Sequence, residues 1–83
     1  MEIKIVSEKE NYLEIEVDTD ESLLNYLAEL INNHKGYSAK AYKDHPLFEK
    51  PRLIIQGKNP REILKESIKE FRKEITTIKK SLN

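Results

Sequence analysis

The sequence predicts an α+β fold: a two-layer sandwich, a four-stranded antiparallel sheet with two helices on one face, in the order ββαββα. Three observations carry this reading. Four short stretches alternate apolar with polar residues, or are apolar on both faces, as strands do. Two longer stretches repeat their apolar residues at steps of three and four, as helices do. Two helices suffice to cover one face of such a sheet.

Ile3 and Ile5, then Leu13, Ile15 and Val17, alternate with Lys4, Glu14 and Glu16. Each set reads as a strand with one buried and one wet face. The polar stretch Ser7-Glu8-Lys9-Glu10-Asn11 between them has the length of a hairpin connection. Asp18-Thr19-Asp20-Glu21-Ser22 follows, a cluster of side-chain acceptors placed to cap the free N–H groups of a first turn. Leu23, Leu24, Leu27, Leu30 and Ile31 then supply one apolar helical face, and Asn32-Asn33-His34-Lys35-Gly36 stops it.

Tyr37, Ala39 and Ala41 give a third alternation, with Tyr42 at its end, before Asp44-His45-Pro46-Leu47 breaks it. Pro51-Arg52-Leu53-Ile54-Ile55-Gln56 is the fourth strand, and its two greasy faces predict a central or doubly covered position. Asn59-Pro60-Arg61-Glu62 opens the last helix: asparagine as cap, proline at the first helical position, and Glu62 completing a capping-box-like arrangement. No repeat, linker or low-complexity segment divides the chain, which reads as one domain over residues 1–83.

That last helix is too long for its body. A helix from Pro60 to Leu82 spans roughly 35 Å, whereas a six-residue strand reaches about 20 Å. Roughly 15 Å, including Ile75, Ile78 and Leu82, should overhang the sheet. The apolar positions Leu64, Ile68, Phe71, Ile75, Ile78 and Leu82 alternate steps of four and three, the spacing of helix-on-helix packing. Leu64, Ile68 and Phe71 are expected to cover this chain's own sheet. Uncovered apolar surface further along marks an interaction site. Lys65, Arg72 and Lys79 flank the stripe on one side, so a partner helix is expected to bring acids to that edge.

The composition narrows the chemistry. Fifteen basic and fifteen acidic residues cancel, whereas nucleic-acid binders usually carry a basic excess; no direct DNA binding is expected. Absence of cysteine removes disulfides and thiolate metal sites, and suits a reducing cytoplasm. No apolar run approaches a membrane span, and Met1-Glu2-Ile3-Lys4 is no signal peptide. His34 and His45 fall on different loops and read as a helix end and a turn. Asp18, Asp20 and Glu21 read as caps rather than a metal cluster. The serines lack a nucleophile-elbow context, and Gly57 alone makes no phosphate-cradling loop. The alternating Glu62, Glu66, Glu70, Glu74 and Arg61, Lys65, Lys69, Lys73 columns read as a solvated helical face. No catalytic residue, cofactor or metal site is expected.

Several segments resemble a known family. Met1-Glu2-Ile3-Lys4-Ile5 with Asn11-Tyr12-Leu13-Glu14-Ile15-Glu16 is similar to the first hairpin of archaeal DNA-directed RNA polymerase subunit L, the smaller alpha-like subunit family. Thr19-Asp20-Glu21-Ser22-Leu23-Leu24-Asn25 stands at the family's signature helix; Asp20, Ser22, Leu23 and Asn25 fit it, while Glu21 replaces a histidine and Leu24 a glycine. Ala41-Tyr42 with His45-Pro46-Leu47, and Pro60-Arg61-Glu62-Ile63-Leu64, match further family segments.

The resemblance implies a non-catalytic assembly subunit of RNA polymerase. It would form a heterodimer with the larger, D-type alpha-like subunit through the long helices and the signature helix. That pair would be the platform for the large catalytic subunits. The expected interface residues are Ser22, Leu23, Asn25, Lys65, Phe71, Arg72, Ile75, Ile78, Lys79 and Leu82. The competing reading from the residues alone is a small homodimeric ligand- or RNA-binding α+β module, since two-layer sheets host such functions.

Overall fold

The computed structural model describes residues 2–43 and 50–82, and for residues 75–82 the helical backbone. The order is β1 (Ile3–Lys9), β2 (Tyr12–Val17), α1 (Glu21–Asn32), β3 (Ser38–Tyr42), β4 (Arg52–Gln56) and α2 (Pro60–Leu82). The four strands form one sheet, β1-β2-β4-β3, with every pair antiparallel. This is the expected ββαββα sheet, with β4 central as its two greasy faces predict.

Leu13, Ile15 and Val17 of β2 and Leu53 and Ile55 of β4 point to the helix side and are buried. Ala39 and Ala41 of β3 pair with Ile55 and Leu53 on the same side. Two alanines there leave room for α1, which packs on β3 and β4, while α2 lies beside α1 and over β2. Asn32, at the end of α1, holds this arrangement: its side chain donates to the Ala39 carbonyl (2.9 Å) and accepts from the Ala39 N–H (2.7 Å). One residue thereby satisfies both backbone groups of an edge-strand position.

The first hairpin is tighter than the polar stretch suggests. β1 continues to Lys9, leaving Glu10-Asn11 as the turn, and a register shift falls between Ile5 and Ser7. Ile3 and Ile5 oppose Val17 and Ile15 on the helix side, and after the bulge Ser7 opposes Glu14 while Glu8 opposes Leu13. The extra residue therefore flips the alternation and brings a glutamate to the inward face. There Glu8 meets Arg61 at the start of α2 in a two-pronged ion pair.

Asp20 caps α1 as expected, in an extended conformation, its carboxylate accepting from the Ser22 N–H at 3.3 Å. Asn59 opens α2 differently. Its φ of 52° is left-handed, not the extended geometry of a side-chain cap, and its carbonyl accepts from Glu62 and Ile63. Asparagine tolerates that conformation better than most residues, so it serves the helix start through its backbone rather than its side chain.

The inward stripe of α2 keeps Leu64 and Phe71, as expected, and adds Ile63 and Ser67. Ile63, Leu64, Ser67 and Phe71 are buried, and Ile68 is only partly covered. Phe71 packs against Tyr26 of α1 with ring centroids 5.8 Å apart. Glu70 and Glu74, expected in a solvated column, reach across to α1: Glu70 lies 3.5 Å from His34, and Tyr26 donates its hydroxyl to Glu74. The expected helix end at His34 is thus tied to the second helix.

Gly57 has φ of 145°, and a Cβ there would lie 2.5 Å from the Tyr37 ring and 2.9 Å from the Gly36 carbonyl. Gly57→Ala should therefore lower stability by about 1–3 kcal/mol in urea unfolding. Trimming Tyr37 to alanine in the same chain should not restore it, because the backbone clash and the φ remain.

Candidate partner interface

Two surfaces of the sheet are open. The first is an apolar groove between the edge strand and the long helix. Leu13 and Ile15 form its floor, Ile3 and Ile5 one wall, and Leu64 and Ile68 the other, enclosing about 210 Å³. Arg61 and Lys65 stand on its α2 rim. The groove exists because α1 and α2 sit toward β3, so neither lies over β1. Ile3 and Ile5 are 42% and 45% exposed although they share the face of the buried Ile15 and Val17. Alternation alone predicts these isoleucines to be buried. The signal that they are not is topological: β1 is an edge strand over which neither helix lies, and α2 meets it only along one side, through Arg61.

The second surface is the far side of the sheet. Glu14 is its hub, accepting hydrogen bonds from the hydroxyls of Tyr12 (2.8 Å) and Tyr42 (2.7 Å) and from Arg52 (3.2 Å). Those bonds, Tyr42 first, then Tyr12 and Arg52, hold the Glu14 carboxyl below its ordinary range against the opposing effect of burial. Both phenols are pushed up by the same carboxylate. A single glutamate so ties β2, β3 and β4 together across Ile54. It is a structural network in which the Glu14 acceptors are occupied while the buried Arg52 Nε has no partner among the described residues.

The expected interface residues scatter relative to these surfaces. Ser22, Leu23 and Asn25 are exposed on the first turns of α1, Leu23 at 43%, and none lines the groove. Leu24, which stands where the family has a glycine, is buried and fills the core. Lys65 and Arg72 are exposed on α2. Phe71, at 6% exposure against Tyr26, is part of this chain's own interior. The side chains of Ile75, Ile78, Lys79 and Leu82 lie outside the described residues, as do His45, Pro46 and Leu47. Among the described residues no group of three or more histidines and carboxylates could hold a metal ion, and no helix is long and apolar enough to cross a membrane.

The profile of the RNA polymerase Rpb3/Rpb11 dimerisation domain matches residues 3–81, nearly the whole chain. The chain belongs to this dimerisation family. It is 34% identical to subunit Rpo11 of the DNA-directed RNA polymerase of Methanocaldococcus jannaschii, covering 94% of this chain and 92% of that one. The Saccharolobus solfataricus Rpo11 is also 34% identical, over 87% of this chain and 84% of its own. The crystal structure of RNA polymerase subunit L from Thermoplasma acidophilum superposes with a TM-score of 0.81, covering 98% of this chain and 84% of that one at 21% identity. That likeness bears out the fold. The chain is thus an L-type polymerase subunit built for dimerisation, a non-catalytic member of a transcription complex.

The Glu14 hub makes acid stability predictable. A carboxyl held below its ordinary value of 4.5 contributes stability that is present above that value and is lost as pH falls through its folded-state pKa. The phenols act in the opposite sense, their contribution being present below 10 and lost above it. Glu14→Gln should reduce stability at pH 7 and flatten the fall in urea midpoint between about pH 5 and 3. Glu8, held down by Arg61 but exposed and screened, should leave a smaller slope behind.

Proposed function

We propose that this chain, residues 1–83 acting as one domain, pairs with the larger, D-type alpha-like subunit of an archaeal RNA polymerase in the cytoplasm. The pair serves as the platform on which the large catalytic subunits assemble. The observation that carries this reading is the length of α2. Its backbone remains helical to Leu82, roughly 35 Å in all, while the five-residue strands β3 and β4 reach about 17 Å. Among the described side chains, the last on α2 seen to touch another element is Glu74, through Tyr26. Beyond it, positions 75, 78 and 82 hold isoleucine, isoleucine and leucine.

Helical periodicity sorts these positions. Ile75 and Leu82 fall within a few tens of degrees of Leu64 and Ile68, and Ile78 falls beside Phe71. Lys65, Arg72 and Lys79 form a basic edge next to the Ile68–Ile75 row. An aliphatic stripe with a one-signed flank matches a helix-on-helix contact with an acid-bearing partner. The family's own description as a dimerisation domain supports the same use of the helix. The exposed first turn of α1, with Ser22, Leu23 and Asn25, is assigned to the same contact area.

Ile75→Asp together with Ile78→Asp, co-expressed with the larger alpha-like subunit, should abolish co-purification and weaken the pair by at least about 100-fold, since burying unpaired carboxylates costs several kcal/mol. Circular dichroism and the urea midpoint of the isolated chain should stay near those of the parent. Undiminished co-purification of the double variant would place the interface elsewhere.

A further inference from the structure

We propose that Tyr26 of α1 aims the overhanging half of α2: its ring, set against Phe71, and its hydroxyl, bound by Glu74, fix the angle at which the long helix leaves the body. Tyr26 is thereby a positioning residue for pairing, acting through α2 rather than on the partner. This deepens the proposed pairing and rests on it for its consequence, while the aiming itself is a property of this chain alone.

The need for aiming follows from where α2 is held. Ile63, Leu64, Ser67 and Phe71 are its buried residues, and among the described side chains Phe71 is the last of them. The helical backbone continues from there to Leu82, a lever of roughly 16 Å. Packed helices cross at angles that scatter by about 15–20°. Over that lever such a scatter moves the tip by about 4–6 Å, close to the rise of one helical turn. A contact made by the last turns would then fall out of register.

The inner row does not fix this angle by itself. Ser67 is fully buried, yet its hydroxyl finds no hydrogen-bond partner among the described residues. The aliphatic contacts of Ile63 and Leu64 are non-directional. Direction comes from one side of the crossing. The Tyr26 and Phe71 rings sit 5.8 Å apart and tilted by 48°, and ring pairs prefer defined geometries. The Tyr26 hydroxyl donates to the Glu74 carboxylate, a charge-assisted bond. Phe71 and Glu74 stand three positions apart on one helical face, so one tyrosine grips two successive turns of α2. Glu70, 3.5 Å from His34 just past the end of α1, is a second brace on the same crossing. The Tyr26–Glu74 bond is solvent-exposed, and such a bond adds little to stability. Its larger effect is on orientation.

Two measurements test this. The chain has no cysteine, so Ser38→Cys on β3 and Ser81→Cys near the end of α2 supply two unique sites for spin labels. The distance distribution between them should widen by about 4 Å in Tyr26→Phe relative to the parent. With the larger alpha-like subunit, Tyr26→Phe and Glu74→Ala should each weaken binding roughly three- to tenfold, mainly through the association rate, since fewer chains hold α2 at the competent angle. Combining the two should cost no more than about twofold beyond either alone. Glu74→Gln, which keeps an acceptor and drops the charge, should stay within about twofold of the parent. An unchanged distance distribution overturns the proposal. Additive losses, or Glu74→Gln as damaging as Glu74→Ala, set these side chains against the partner and overturn it as well. Loss of pairing in the Ile75→Asp/Ile78→Asp chain with unchanged affinity in Tyr26→Phe refutes the aiming and leaves the pairing intact. Undiminished pairing of that double variant overturns both.

Discussion

One offset governs this molecule: the helical layer is displaced sideways over the sheet. The chain leaves β2, crosses as α1 and returns as β3, with β4 inserted between the two. A crossover helix lies over the strands it connects, so α1 settles on β3 and β4 and the Asn32–Ala39 bonds fix it there. The second helix has only the space beside α1, above β2. At 8–10 Å between helix axes and about 4.8 Å between strands, the pair could have covered the sheet had it been centred. Displaced toward β3, it leaves the inner face of β1 bare. The groove, the exposure of Ile3 and Ile5 and the position of the Glu8–Arg61 pair all follow from that displacement.

How much of this is legible in the sequence depends on the range of the interaction. Period and punctuation are local, so the number, type and order of elements can be read directly, as can the Asp20 cap and the span of α2. The central place of β4 is legible from its two apolar faces. Lateral placement is not, because no residue pattern records how far a helix sits from the axis of its sheet. Ile5 has the same pattern as Ile15, yet one is 45% exposed and the other 1%.

The charged residues mislead for a related reason. Glu70 and Glu74 repeat every four residues beside a basic column, and such columns are usually solvated. Their use as clasps on His34 and Tyr26 depends on the α1–α2 crossing, which the sequence does not state. Glu8 resembles a turn residue because only the bulge turns it inward. Phe71 falls both in the seam and among the residues expected to face this chain's own body, and Ser67, a small polar residue, hides the inward row in which both lie. Ile63, Ser67 and Phe71 form that row at steps of four, and heptad counting passes over it.

A core this size makes association and stability hard to separate. The buried set is one layer of aliphatic residues and Phe71 between a four-stranded sheet and two helices, in a chain of the length at which a single core is marginal. Any partner that binds only the folded form adds RT ln(1 + [L]/Kd), about 2.7 kcal/mol at a hundredfold excess over Kd. The apolar wall that the displaced helices leave exposed, Ile3 and Ile5 among it, limits the stability of the isolated chain. Centring the helices would bury that wall and strengthen the monomer.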